Sequence, residues 1–105
     1  MSTYEDPQYI TLDASTGNGV AIFRGTKPTV RKDIHKIVVE SSVTGSGVVT
    51  IVHRGSTKTS RSIALTMVAE GVLEHHAGEE TRVEFVNGPR GAQVKVTAHI
   101  QEVPL

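Results

Sequence analysis

Apolar and polar residues alternate along much of the chain, and the alternation is most regular near its C-terminus. From 92 to 101 every even position is apolar and every odd position is polar, and a shorter run of the same kind covers 81–85. Successive side chains of a β-strand point to opposite faces, so these runs predict strands with one buried face. Similar patterns predict six more strands, at Tyr9–Leu12, Val20–Phe23, Ile34–Ser41, Val48–Arg54, Arg61–Ala69 and Val72–His75.

Two glycine-containing connections predict β-hairpins. Residues 87–91 separate the strands predicted at 81–85 and 92–101, and residues 43–47 separate the strands predicted at 34–41 and 48–54. Connections of about five residues that contain glycine are common in hairpins, because glycine readily takes the positive φ that a reversal needs. We therefore expect each of these two pairs to be hydrogen-bonded neighbours.

Seven or eight short strands separated by turns predict an all-β fold, either a single antiparallel β-sandwich or a small jelly-roll-like barrel. The stretch 63–71 could also form a short helix, but its alternation favours a strand. Residues 1–8, which contain Pro7 and two acidic residues, are predicted to form a flexible N-terminal arm. The sandwich domain is predicted to cover 9–105.

One internal echo is visible in the sequence. Residues 17–20 read Gly-Asn-Gly-Val and are followed by an Arg-Gly pair at 24–25, while residues 45–48 read Gly-Ser-Gly-Val and are followed by an Arg-Gly pair at 54–55. Two copies are too few for a repeat architecture. The echo predicts two strands with similar turn chemistry at each end.

Composition supports strands and excludes cysteine chemistry. Val, Ile and Thr supply 34 of the 105 residues and Leu only 4, a balance that favours strands over helices. There is no cysteine, which rules out disulfides, thiolate-bound zinc and a cysteine nucleophile. The N-terminus resembles no secretion signal and no apolar run could span a membrane, so we expect a chain made in the cytoplasm.

The formal net charge is zero, but the charges lie in blocks. Residues 1–23 carry a charge of −3, residues 24–61 carry +6, and residues 62–105 carry −3. A neutral chain is a poor general nucleic-acid binder. Blocks of this kind could form complementary faces between protein molecules. Alternatively, folding interleaves the blocks and cancels the field.

The chain contains no catalytic motif. His75 and His76, with Glu74, Glu79 and Glu80 nearby, form the densest group of potential metal ligands. Adjacent strand residues point to opposite faces, so we expect a polar loop edge there rather than a metal site. An enzyme would need His53, His75 or His99 to meet an acid in a cleft, and we predict no catalytic residue, metal or cofactor.

Several short motifs resemble small virion proteins of tailed bacteriophages. They are the turn Ser15–Val20, the loop at Lys27-Pro28, the strand Ile34–Ser42 with its glycine-rich turn into Val48–His53, and the strand–turn–strand run from Gly71 to Phe85. The likeness covers residues 9–102. It implies a non-enzymatic structural protein built as a sandwich, without a bound cofactor.

The resemblance implies a capsid decoration (cementing) protein that binds the outer capsid surface. Alternatives are a minor tail or head–tail connector component, or a small ligand- or carbohydrate-binding sandwich. The implied partners are the major capsid protein or other virion proteins and further copies of the chain, with a trimer suiting a three-fold site; neither nucleic acid nor membrane is expected, and the implied location is the virion. The predicted subunit or capsid contacts are Tyr4, Glu5, Asp6, Arg54, Lys58 and Arg61.

Overall fold

The computed structural model describes residues 2–105, which form eight β-strands. In chain order the strands are β1 (Ser2–Thr11), β2 (Gly19–Arg24), β3 (Val30–Ser41), β4 (Val48–His53), β5 (Ser56–Ser62), β6 (Thr66–His75), β7 (Glu80–Val86) and β8 (Gln93–Pro104). They build two four-stranded antiparallel sheets. The first sheet has the order β1-β8-β3-β6, and the second has the order β2-β7-β4-β5. The predicted all-β sandwich is confirmed.

The two sheets bury one shared apolar core. The alternation read from the sequence marks its inner faces correctly: the even positions from Ala92 to Ile100 are buried, and so are Thr81, Val83 and Phe85. β-branched side chains suit this arrangement because they pack well on a pleated surface. Ile34, Ile37 and Val39 of β3 and Val49 and Ile51 of β4 complete the centre of the core.

Both predicted hairpins are wrong. β7 pairs with β2 and β4, whereas β8 pairs with β1 and β3, so residues 87–92 cross from one sheet to the other. Residues 42–47 make the same kind of crossing between β3 and β4. A glycine-rich connection permits a sharp change of direction, but its length and composition are equally compatible with reversal within a sheet and with passage between two sheets.

The hairpin that the structure does contain joins β4 to β5. Its two turn residues, Arg54 and Gly55, have φ angles of 51° and 80°, as a two-residue turn between twisted strands requires. The sequence predicted no strand over most of β5, the strand that follows, because all of its residues are polar and show no apolar alternation. The strand predicted at 61–69 is wrong in its first part: residues 61–62 end β5, residues 63–65 cross between the sheets, and residues 66–69 begin β6. β6 continues through the strand predicted at 72–75, and its pairing with β3 is interrupted by a bulge near Gly71.

The predicted N-terminal arm is also wrong for the described residues 2–8. They form most of β1, which pairs with β8 in continuous register from Ser2 to Thr11. Pro7 is accommodated because β1 is an edge strand, where a residue without an N–H group need not break the ladder. The sandwich therefore includes the segment that the sequence assigned to the arm.

The internal echo corresponds to two strands that flank β7 on its two sides. β2 and β4 both run antiparallel to β7. Each begins after a Gly-x-Gly turn beside the C-terminal end of β7 and ends with an Arg-Gly pair beside its N-terminal end. The prediction of two strands is confirmed, but the turns at their ends differ. Arg54 and Gly55 form a hairpin turn with positive φ, whereas Arg24 ends β2 and Gly25 begins a crossing to the other sheet.

Two side chains reach across the open sides of the sandwich to the backbone of the facing edge strand. The amide of Gln8 in β1 donates to the Ile22 carbonyl (2.6 Å) and accepts from the Ile22 N–H (3.2 Å). On the other side, Arg61 of β5 donates to the Val68 carbonyl of β6 (3.0 Å). These contacts, which we call the edge latches, tie the two sheets together along their margins.

The connections divide into two sets at opposite ends of the sandwich. The glycine-rich end comprises the four crossings at 12–18, 42–47, 63–65 and 87–92. The histidine end comprises the connections at 25–29, 54–55 and 76–79.

Candidate functional site

Two histidines and a threonine meet between the sheets near the histidine end. Thr81 of β7 lies opposite His53 of β4 in the second sheet, and its hydroxyl is 2.9 Å from His53 Nδ1. The same hydroxyl is 2.5 Å from Nε2 of His75, which belongs to β6 in the first sheet. The other ring nitrogen of His75 lies 3.1 Å from the Lys32 carbonyl of β3. We call this arrangement the His–Thr–His chain.

All three side chains are buried: Thr81 is 0% exposed, His75 1% and His53 7%. The two imidazole rings meet edge to face with their centroids 4.6 Å apart. Burial lowers the pKa of His53, helped by the charges of His75, Arg54 and Lys58. Burial also lowers the pKa of His75, and the carbonyls of Lys32 and Leu73 oppose the change. The site thus favours neutral imidazoles.

Ion pairs surround the His–Thr–His chain on its outer side. Arg24 and Arg54, the arginines of the two echo motifs, contact Glu80 (2.9 Å) and Glu79 (2.7 Å) respectively. The hydrogen bond from Arg54 holds the pKa of Glu79 below its usual range, with a further contribution from the His76 N–H. Since β2 and β4 flank β7 symmetrically, the two arginines bind successive glutamates from opposite sides.

On the first sheet, Arg31 forms a paired contact with Asp33, with nitrogen–oxygen distances of 2.7 and 2.9 Å, and its guanidinium lies 3.9 Å from Glu74. The hydrogen bond with Asp33 raises the pKa of Arg31. The basic block 24–61 therefore contacts acidic residues of the block 62–105 within one molecule, so folding interleaves the charge blocks at these pairs.

The structure separates the potential metal ligands that lie together in the sequence. His75 points into the core while His76 is exposed, as strand alternation predicts, and Glu79 accepts a hydrogen bond from the His76 backbone N–H (2.7 Å). Within residues 2–105, no three histidine or acidic side chains are grouped so that they could hold a metal ion.

The six predicted contact residues lie on two different strands and one turn, at opposite edges of the sandwich. Tyr4, Glu5 and Asp6 lie on β1, at the edge of the first sheet, and Lys58 and Arg61 lie on β5, at the edge of the second. The structure does not bring the two groups together in one molecule.

Several of these residues are engaged inside the fold. Glu5 lies 3.4 Å from His99, Arg54 contacts Glu79, and Arg61 forms an edge latch. Partial burial, together with the charge of Glu102, raises the pKa of Tyr4 to about 12.

Exposed apolar side chains gather at the glycine-rich end. Val48 and Val86 are direct cross-strand partners on the outer face of the second sheet, 40% and 47% exposed. Val20 lies diagonally beside Val86, since its own partner is Glu84. Val43 and Leu65, in two crossings of the same end, are also exposed. We call these five side chains the apolar end patch; it is the feature that the alternation pattern did not reveal.

The loops under this patch are held in place by backbone contacts. A Cβ atom on Gly17 would lie 2.0 Å from the Gly88 carbonyl oxygen, and one on Gly47 would lie 2.5 Å from the Asn87 carbonyl oxygen. Asp13 accepts hydrogen bonds from the Ser15 hydroxyl and from the N–H groups of Ser15 and Thr16, which lower its pKa to about 2. The patch therefore sits on a tightly packed base.

No protein-family model matches the chain, and a search of curated proteins found no match either. Residues 2–105 contain no helix that is long and apolar enough to cross a membrane.

Proposed function

We propose that this chain is a non-enzymatic structural protein of a tailed-bacteriophage virion, and specifically a capsid decoration protein that docks its glycine-rich end on the outer capsid surface. The observation that carries the proposal is the apolar end patch, formed by Val20, Val43, Val48, Leu65 and Val86. The resemblance of the sequence motifs to small virion proteins supplies the class of partner.

The two ends of the sandwich differ in their charged and apolar side chains, and this difference supports docking through the glycine-rich end. The contacts of Arg24, Arg31 and Arg54 with acidic side chains lie towards the histidine end, whereas the apolar end patch lies at the other. Val20, Val48 and Val86 adjoin one another, and adjoining exposed apolar side chains mark protein contact sites more often than isolated ones do. Because the loops under the patch are tightly packed, docking would cost little of their conformational entropy.

Charge substitution in the patch tests this proposal. Val86→Asp and Val43→Asp place a carboxylate in the patch, and we expect each to reduce co-sedimentation with purified capsids by about tenfold or more. Val72→Asp is the matched control, because Val72 is 56% exposed on β6 and lies outside the patch. Circular dichroism checks that all variants fold. Unchanged capsid binding by both patch variants would overturn docking through this end.

The copy number of the chain in purified virions distinguishes decoration from a minor tail or head–tail connector role. Hundreds of copies for each particle, measured by quantitative mass spectrometry against the major capsid protein, are expected for decoration. A few copies would favour the tail or connector, and absence from the particle would contradict both.

One exposed aromatic residue favours the second candidate function, a carbohydrate-binding sandwich. Tyr9 is 74% exposed, and the Lys95 amine lies 5.7 Å from the centre of its ring. Sugars commonly stack on such rings beside hydrogen-bonding groups. Saturable binding on a glycan array that Tyr9→Ala abolishes would favour this function over a purely structural one.

A further inference from the structure

The His–Thr–His chain is a hydrogen-bond path whose proton positions follow from one carbonyl group. The Lys32 carbonyl can only accept, so Nδ1 of a neutral His75 carries the proton and Nε2 is an acceptor. The Thr81 hydroxyl must then donate to His75 Nε2. Its oxygen consequently accepts from Nδ1–H of His53. Both imidazoles are thereby assigned the Nδ1–H tautomer.

This path joins four strands, two from each sheet. It runs from His53 on β4 through Thr81 on β7 to His75 on β6, and ends at the backbone of β3. Every donor is matched to an acceptor along it. Adding a proton to Nε2 of His75 would turn that nitrogen into a donor and leave the Thr81 hydroxyl proton without its acceptor.

From this geometry we propose that the His–Thr–His chain is an acid-sensitive lock between the two sheets, closed when both histidines are neutral and opened when they are protonated. A second proton would also place two cations in rings whose centroids are 4.6 Å apart. Like charges at that separation in a buried site repel strongly. The inference does not depend on the proposed function.

The charged groups around the lock come from every neighbouring element. Lys32 of β3 lies opposite His75, and Asp6 of β1 and Arg24 of β2 line the same small cavity as His75. Arg54 and Lys58 disfavour a proton on His53, whereas Glu79 favours one. Glu79 and Glu80 form ion pairs with Arg54 and Arg24. The arginine charges therefore partly offset the effect of these two carboxylates on the histidines.

The direction of the pH effect follows from the lowered pKa of both histidines. Below a pH of about 6.5 the unfolded chain takes up protons that the folded chain excludes. Stability is therefore complete above that pH and is lost as the pH falls below it. With two protons excluded, the unfolding equilibrium constant rises by up to about 100-fold for each pH unit.

Nitrogen NMR of the full chain at pH 8 tests the arrangement directly. Long-range ¹H–¹⁵N spectra should show His53 and His75 as Nδ1–H tautomers whose Nε2 resonances are those of unprotonated nitrogens. The same spectra followed to pH 5.5 should show both histidines taking up protons only below the pH of about 6.5 at which an unperturbed imidazole titrates. An Nε2–H tautomer at His75, or protonation of both residues at or above that pH, would overturn the lock.

Urea unfolding between pH 7.5 and 5.5 tests its effect on stability. The unfolding constant of the natural chain should rise steeply below pH 6.5, and His53→Gln should flatten that rise. His35→Gln is the matched control, because this exposed histidine lies outside the lock, and it should leave the rise unchanged. A rise that His53→Gln leaves unchanged would overturn the lock; if that variant does not fold, the NMR titration of the natural chain decides.

Discussion

Both ends of the sandwich contain close backbone contacts, but only the histidine end has a buried chain of polar side chains. At the glycine-rich end, Gly17 and Gly47 press against the backbone of residues 87–88. At the histidine end, Gly25 presses against the His76 carbonyl in the same way. The histidine end adds the neighbouring His–Thr–His chain and the arginine–glutamate pairs. From this difference we expect the close backbone packing to be insensitive to pH and salt, and the order of the histidine end to depend on both.

The largest effect is expected from Gly17→Ala. Its Cβ would collide with the Gly88 carbonyl, and φ is +74°; we expect a loss of about 4 kcal/mol or more in the free energy of unfolding. Gly91→Ala is the matched control, because Gly91 also has a φ of +74° but open space around it, so it should cost only about 1–2 kcal/mol. Urea unfolding at pH 8 and pH 5.5 should give the same loss at both. A strongly pH-dependent loss would break the comparison.

A smaller effect is expected from Thr81→Val, which keeps the shape of the side chain and removes the hydroxyl. Two buried imidazole nitrogens lose their partner, at a cost of about 2 kcal/mol at pH 8. Thr97→Val is the control, since Thr97 is also a buried threonine but lies on the outer face of the first sheet, outside the His–Thr–His chain. Thermal or urea unfolding measures both variants. Equal losses in the free energy of unfolding for Thr81→Val and Thr97→Val would mean that the hydrogen bonds of the His–Thr–His chain add no stability beyond that of a buried threonine.

The smallest effect is expected from Arg24→Gln. The Arg24–Glu80 pair is largely exposed, with 58% of the arginine side chain accessible, so its loss should cost at most about 0.5 kcal/mol. Added salt should remove the difference from the natural chain, because screening weakens exposed pairs. Arg90→Gln, in the 87–92 crossing of the glycine-rich end, is the control and should respond little to salt. A loss that persists in 1 M NaCl would show that the pair acts through packing instead.

The sequence predicted the strands with one apolar face well and their pairing poorly. Alternation from 92 to 101 identified both the strand and its buried side, because that pattern arises within one strand. β5 and the first part of β1 were missed, since neither has regular apolar alternation. The choice between a hairpin and a crossing depends on contacts between distant residues, which local spacing does not encode.

The His–Thr–His chain could have been suspected in part. His53 follows Val49 and Ile51 at the apolar parity of β4, and Thr81 shares its parity with Val83 and Phe85. These positions indicate polar side chains that face the core and need partners. Their meeting with His75 requires the stacking of one sheet on the other, which no pattern along the chain specifies.

The edge latches bear on how the molecule behaves when many copies are crowded together. Unpaired backbone groups at a sheet edge are templates for strand addition by another chain, which leads to fibrils. Gln8 occupies both the N–H and the carbonyl of Ile22, and Arg61 occupies the carbonyl of Val68. An incoming strand would first have to displace these side chains. The same two residues that close the sandwich thus remove these backbone groups of β2 and β6 as sites for strand addition.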